Sequence, residues 1–174
     1  MNVSNHKSDF IRIKRRVYVF LSFAFVLQLM TGCSSPAESM QGERWVIFSD
    51  TQARELGIAD WFLEPGHTAE YWTPTEKDVL ALEDGLVSFL QKNSDRFYSQ
   101  GTPVWERLDD YNRQYIGFIL DEKRIVYSNY FCDSFETDWR MEFIFVMDGG
   151  DCYFQFKYDA DSGEFFELQV NGNA

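Results

Sequence analysis

Apolar residues follow different rules in successive parts of this chain. Val17 to Val26 is an almost unbroken apolar run, continued by Leu27, Leu29 and Met30. Lys7, Arg12, Lys14, Arg15 and Arg16 precede it, and small residues follow. A positive segment, a short apolar core and a small-residue cut site are the parts of a secretory signal. Val17–Met30 is 14 residues long, short of the roughly 20 that a permanent membrane-spanning helix needs. The alternatives are an ordinary signal with a chance cysteine nearby, or a short uncleaved anchor.

The next strong pattern has helical spacing. Thr73-Pro74-Thr75-Glu76 places Thr at an N-cap, Pro at the first helical position and Glu three residues after the cap, which reads as a capping box. Val79, Leu82, Leu86, Phe89 and Leu90 follow at helical intervals, with Lys77, Asp78, Glu83, Asp84 and Lys92 as the wet side. The pattern predicts an amphipathic helix from Pro74 to Lys92. Trp45 to Phe48 reads as a short first strand, and Thr51 to Leu63 as irregular or a brief helix broken at Pro65-Gly66.

Beyond Tyr115 the chain reads as successive strands, with inward and outward positions alternating in Arg124–Phe131 and Cys152–Tyr158. Strands are expected at Tyr115–Leu120, Arg124–Phe131, Met141–Met147, Cys152–Tyr158 and Phe165–Val170. Asp121-Glu122-Lys123, Asp148-Gly149-Gly150-Asp151 and Asp159 to Gly163 supply the turns between them. The expected fold is α+β, with one long amphipathic helix packed on an antiparallel β-meander of four to five strands. In architecture this is similar to cystatin-like and NTF2-like folds.

Leu29-Met30-Thr31-Gly32-Cys33 resembles the lipobox of bacterial lipoproteins. The resemblance implies removal of residues 1–32 and acylation of Cys33. It leaves a lipidated tether at 33–43 and a single domain at 44–174. The partner of Cys33 is then the lipid bilayer, and more than one acyl chain is needed for stable anchoring. Ser34, rather than Asp, implies the outer membrane facing the periplasm in a diderm host. Tyr111-Asn112-Arg113-Gln114-Tyr115-Ile116-Gly117, Asn129-Tyr130-Phe131-Cys132, Asp148-Gly149-Gly150-Asp151-Cys152-Tyr153-Phe154 and Asn171-Gly172-Asn173-Ala174 resemble segments of small exported bacterial lipoproteins of no assigned function. That likeness covers Tyr111 to Ala174 and implies no activity.

Charge narrows the partners. The leader holds five of the 16 Lys+Arg and one of the 28 Asp+Glu, so residues 33–174 carry 11 against 27, a net −16. Such a balance disfavours nucleic acid and favours a basic envelope protein, or simple solubility. Cys132 and Cys152 remain after Cys33. In an oxidising compartment they either form a disulfide or stay as two buried thiols.

Candidate chemistry is sparse. His67 is the one histidine beyond the leader, too few for a His-based zinc site and without a nucleophile motif beside it. Asp159-Ala160-Asp161-Ser162-Gly163-Glu164 fails the calcium-loop register and reads as a turn. No cofactor is expected. Asp133, Glu136 and Asp138, beside Trp139, are the carboxylates to inspect for glycosidase-type work. Trp61, Trp72, Trp105 and Trp139 lie in or near expected loops, where Trp anchors partners. Trp105, Trp139 and Arg113 are taken as candidate binding residues, Arg113 for a buried ion pair or a carboxylate grip. The functional expectation is a non-catalytic envelope module that binds a protein or ligand, as an inhibitor or immunity protein would. The alternative is a carboxylate-based cell-wall or glycan hydrolase or lyase.

Overall fold

The computed structural model describes residues 39–58, 70–98 and 101–172, all within the compact unit Ser34–Ala174. Cys33, Trp61 and His67 lie outside the described residues, as do the leader and the first residues of the tether. The fold is mixed α+β around one seven-stranded sheet. Its elements are β1 (Met40–Gln41), β2 (Trp45–Ile47), α1 (Asp50–Glu55), β3 (Glu70–Trp72), α2 (Glu76–Lys92), β4 (Asn112–Leu120), β5 (Lys123–Phe131), β6 (Tyr153–Asp159) and β7 (Glu164–Val170). Short 3-10 turns at Val104–Glu106 and Leu108–Asp110 precede β4. Among the described residues no helix is long and apolar enough to cross a membrane.

The strand order is β1-β2-β4-β5-β6-β7, with β3 also paired to β4. β2 runs parallel to β4 at Arg113–Tyr115, and β3 runs antiparallel to it at Gly117–Ile119. The sheet is therefore antiparallel apart from this one pair, not a pure meander. Gly117 is required where β3 hands over to α2. A Cβ there would collide with the Trp72 carbonyl oxygen and lie 2.8 Å from the Pro74 ring. The sheet also begins earlier than the polar composition of 33–43 indicated, because Met40 and Gln41 pair with Ile47 and Val46.

β4 and β5 form the longest ladder, from Asn112↔Phe131 to Leu120↔Lys123. Asp121 and Glu122 close it with φ of 49° and 63°, the paired left-handed geometry that matches strand twist. Lys123 belongs to the strand rather than to the expected turn.

The helix starts two residues later than expected. Thr73 is not its cap, because the Thr73 hydroxyl accepts from the Asp50 N–H at 2.9 Å and donates to Asp50 Oδ1 at 3.2 Å. Thr75 caps α2 instead, accepting from the Asp78 N–H, while the Asp78 carboxylate accepts from the Thr75 N–H at 2.9 Å. The box moved along the chain because the first hydroxyl was already in use at α1.

Both faces of the sheet are covered. Val79, Leu82, Leu86 and Leu90 of α2 pack on Tyr115, Val126, Tyr130, Phe154 and Phe156. On the opposite face Val46, Phe48, Ile116, Phe118, Ile125 and Tyr127 meet Ala53 of α1 and Ile58. Ile125 to Phe131 is buried at every position. The alternation expected of β5 therefore separates two cores rather than core from solvent.

Met141–Met147 is not a strand. It belongs to a long excursion between β5 and β6, closed at its base by a Cys132–Cys152 disulfide. The Cys132 N–H also donates to the Cys152 carbonyl at 3.0 Å. The bond closes a loop with a sequence separation of 20, worth about 3 kcal/mol in the chain-entropy model. Reduction should lower the unfolding free energy by that amount and bring the denaturant midpoint down with it. An unchanged midpoint in excess reductant would contradict the reading.

Candidate functional site

Gln114 of β4 and Asn129 of β5 face away from α2 and are fully or almost fully buried. Cross-strand pairing sets them side by side. Asn129 Nδ2 donates to Gln114 Oε1 at 3.0 Å and to the Ile144 carbonyl at 2.7 Å. Gln114 Oε1 also accepts from the Ile144 N–H at 3.0 Å, and Gln114 Nε2 donates to the Trp139 and Glu142 carbonyls at 2.6 and 2.8 Å. At the far end Asn171 Nδ2 donates to the Val146 and Asp148 carbonyls at 2.5 and 3.1 Å. At the near end the Arg140 guanidinium donates to the Gly42 and Glu43 carbonyls. The excursion is thus a strap laid across the sheet from the β1–β2 turn to the end of β7. Side-chain amides replace the ladder that a strand would have used, so Met141–Met147 finds backbone partners without pairing as a strand.

A second polar cluster lies on the helix face. Tyr115 and Tyr130 both donate their hydroxyls to Glu83 Oε1, and the two hydroxyl oxygens are 3.0 Å apart. Arg113 Nε is 3.7 Å from the same oxygen. Arg113 Nη2 donates to the Leu108 carbonyl at 2.9 Å, and the guanidinium lies 5.6 Å from the Tyr130 ring centre. Burial, reinforced by the neighbouring Glu83 carboxylate, pushes both phenols well above their ordinary pKa, so they stay neutral donors. Glu83 Oε2 takes no partner among the described residues. Glu83 and Arg113 border a cavity of about 180 Å³ with Trp45, Glu76, Val79, Leu80 and Tyr115. The arrangement fixes one carboxylate in place and leaves it one oxygen for a hydrogen-bond donor.

This cluster carries a pH dependence. Burial also raises the pKa of Tyr111, to about 12. A group whose folded pKa is raised contributes stability that is intact below its unfolded value, near 10 for tyrosine. That stability is lost as pH rises above that value. Stability should therefore hold up to about pH 9 and fall steadily above pH 10. Denaturant midpoints measured across this range test the point, and a midpoint that rises with alkalinity would contradict it.

The residues singled out from the sequence have separate fates. Arg113 is in the Glu83 cluster. Trp105 packs against the helix-side core, edge-on to Phe97 with ring centres 6.4 Å apart. Trp139 lies in the strap, edge-on to Phe131 at 5.7 Å and covered by Arg140 at 4.1 Å. These three do not converge on one site. Cys132 and Cys152 are bonded. Asp133, Glu136 and Asp138 are exposed along the strap, and Asp133 Oδ2 accepts from the Tyr153 hydroxyl at 3.3 Å. Asp159 is spent on its own turn, accepting from the Asp161 and Ser162 N–H groups and pairing with Lys123 at 3.3 Å. Burial opposes that charge, but these bonds override it and hold the Asp159 carboxyl down at about 2. Among the described residues no three metal-ligating side chains come together.

Sequence reasoning missed Glu83, which it assigned to the wet side. The signal was available. Val79, Glu83, Leu86 and Leu90 share one helical face, so a carboxylate there has to find partners in the core margin. The roles of Gln114 and Asn129 were not accessible, because their partners come from a distant segment. The chain matches no family model, and comparison with curated proteins and with solved structures finds no match.

Proposed function

We propose that the protein is a bacterial envelope lipoprotein, anchored through acylated Cys33, whose domain is a non-catalytic binding module for a basic partner protein. The observation that carries this reading is the charge balance. Residues 33–174 have net charge −16, and much of the positive charge is engaged internally. Arg113 is near Glu83, Arg124 pairs with Asp161, Lys123 with Asp159 and Lys157 with Glu167. The surface left to a partner is acidic. The lipobox-like residues at Leu29–Cys33 and the disulfide, which suits an exported compartment, support the location. The long amphipathic helix across a sheet is similar, in architecture alone, to cystatin-like and NTF2-like folds.

The hydrolase or lyase reading finds less support. It needs facing carboxyls with one pKa raised. The cavity holding Glu76 and Glu83 is about 180 Å³, below the roughly 300–1,000 Å³ usual for small-molecule sites. A cavity of about 320 Å³ near Asp121, Asp159 and Glu164 includes Asp159, whose pKa moves down, the wrong way for a proton donor.

Affinity capture from envelope extracts tests the binding reading. The full-length protein is expected to retain a basic protein at low salt and release it as ionic strength rises. Retention of nothing at low salt would overturn it. Metabolic labelling with a fatty-acid analogue should mark the wild-type protein and not a Cys33→Ala variant, and equal labelling of the two would overturn the anchoring.

A further inference from the structure

We propose that the outward face of the strap is the docking surface for that partner, and that it takes a basic segment carrying an apolar face. The inference rests on the basic-partner reading and assigns it a place. Within the strap, Ile144 points into the sheet and is buried, while Met141, Phe145 and Met147 point out with 58%, 49% and 82% of their surface exposed. All three lie on this one excursion. Large apolar side chains so placed mark interaction surfaces more often than chance exposure does, and methionine suits a surface that adapts to a partner.

The flanking charge defines what fits. Asp133, Glu136, Asp138, Glu142 and Asp148 are exposed along the same excursion. Its one basic residue, Arg140, is turned onto the Gly42 and Glu43 carbonyls and the Trp139 ring. Exposed apolar side chains and carboxylates on one excursion complement a segment that offers both apolar residues and Lys or Arg. The same carboxylates disfavour an anionic membrane surface. The disulfide and the Gln114–Asn129 amides fix the strap before binding, so little ordering is left for the encounter to supply.

The test uses the full-length lipidated protein in phosphatidylcholine nanodiscs, with empty nanodiscs as blank, at low salt. The probes are a labelled Leu/Lys amphipathic helical peptide and polylysine, a charge-only control. The peptide should bind more tightly than polylysine. Met141→Gln with Met147→Gln should weaken peptide binding about tenfold or more and leave polylysine unchanged. Val87→Gln, at an exposed site on α2, should change neither. Unchanged thermal melting shows that the double variant is folded, as expected for side chains this exposed. Equal binding by the double variant, or an equal loss on Val87→Gln, would overturn the strap assignment alone. Failure of both probes to bind would overturn the basic-partner reading itself.

Discussion

Replacing Asn129 by leucine is expected to cost about 4 kcal/mol of stability and to release the strap from the sheet. Leucine keeps the branched outline of asparagine but is bulkier, so some overpacking adds to the cost. Most of the loss comes from hydrogen bonds. The Ile144 carbonyl would lose the Asn129 donor, Gln114 Oε1 would keep only the Ile144 N–H, and Gln155 Nε2 would lose the Asn129 Oδ1 acceptor at 3.3 Å. Each buried group left short costs about 1–3 kcal/mol. Chemical denaturation reads the energy, and hydrogen exchange at Ile144 reads the release. A change below about 1 kcal/mol, with Ile144 still protected, would mean that Gln114, Asn171, Arg140 and the disulfide hold the strap without Asn129.

Glu83→Leu should cost a similar amount, about 4 kcal/mol, because it leaves the Arg113 charge in the core margin without its carboxylate. Arg113 keeps only 15% of its side-chain surface in solvent, so water cannot replace Glu83. Tyr115 and Tyr130 would lose their shared acceptor and retain each other. Glu83→Gln should cost less, since the amide oxygen still accepts from one phenol. Replacing Arg113 as well, in Glu83→Leu with Arg113→Met, should recover much of the loss. A double variant no better than the sum of the singles would show that the pair is not coupled.

Much of the fold was legible because local signals agreed with their surroundings. The β4–β5 hairpin has apolar, β-branched and aromatic runs on both sides of a polar two-residue turn, and nothing distant competes with it. The helix was legible in its stripe but not in its first residues, because Thr73 and Thr75 are equally good caps locally. Only the contact with Asp50 decides between them. Met141–Met147 was misread for a related reason. Its apolar run is real, but an apolar run reports what can be buried, not what the backbone bonds to. Two buried amides from other strands answer its carbonyls, and no spacing within the segment encodes them. Arg113 was legible as a group in need of a counter-charge, whereas its partner Glu83 was hidden among many acidic residues. The exposure of Met147 was invisible as well, since a strand would have paired the backbone on both sides of it.

The domain is acidic, with several of its bases paired internally, and the lipid anchor proposed for it is open to direct measurement. Intact-mass analysis of the protein purified from the envelope of a bacterial host settles it. The account predicts a chain that begins at Cys33 and carries acyl groups on that residue. A chain that retains residues before Cys33, or one that begins at Cys33 with a free thiol, would contradict it.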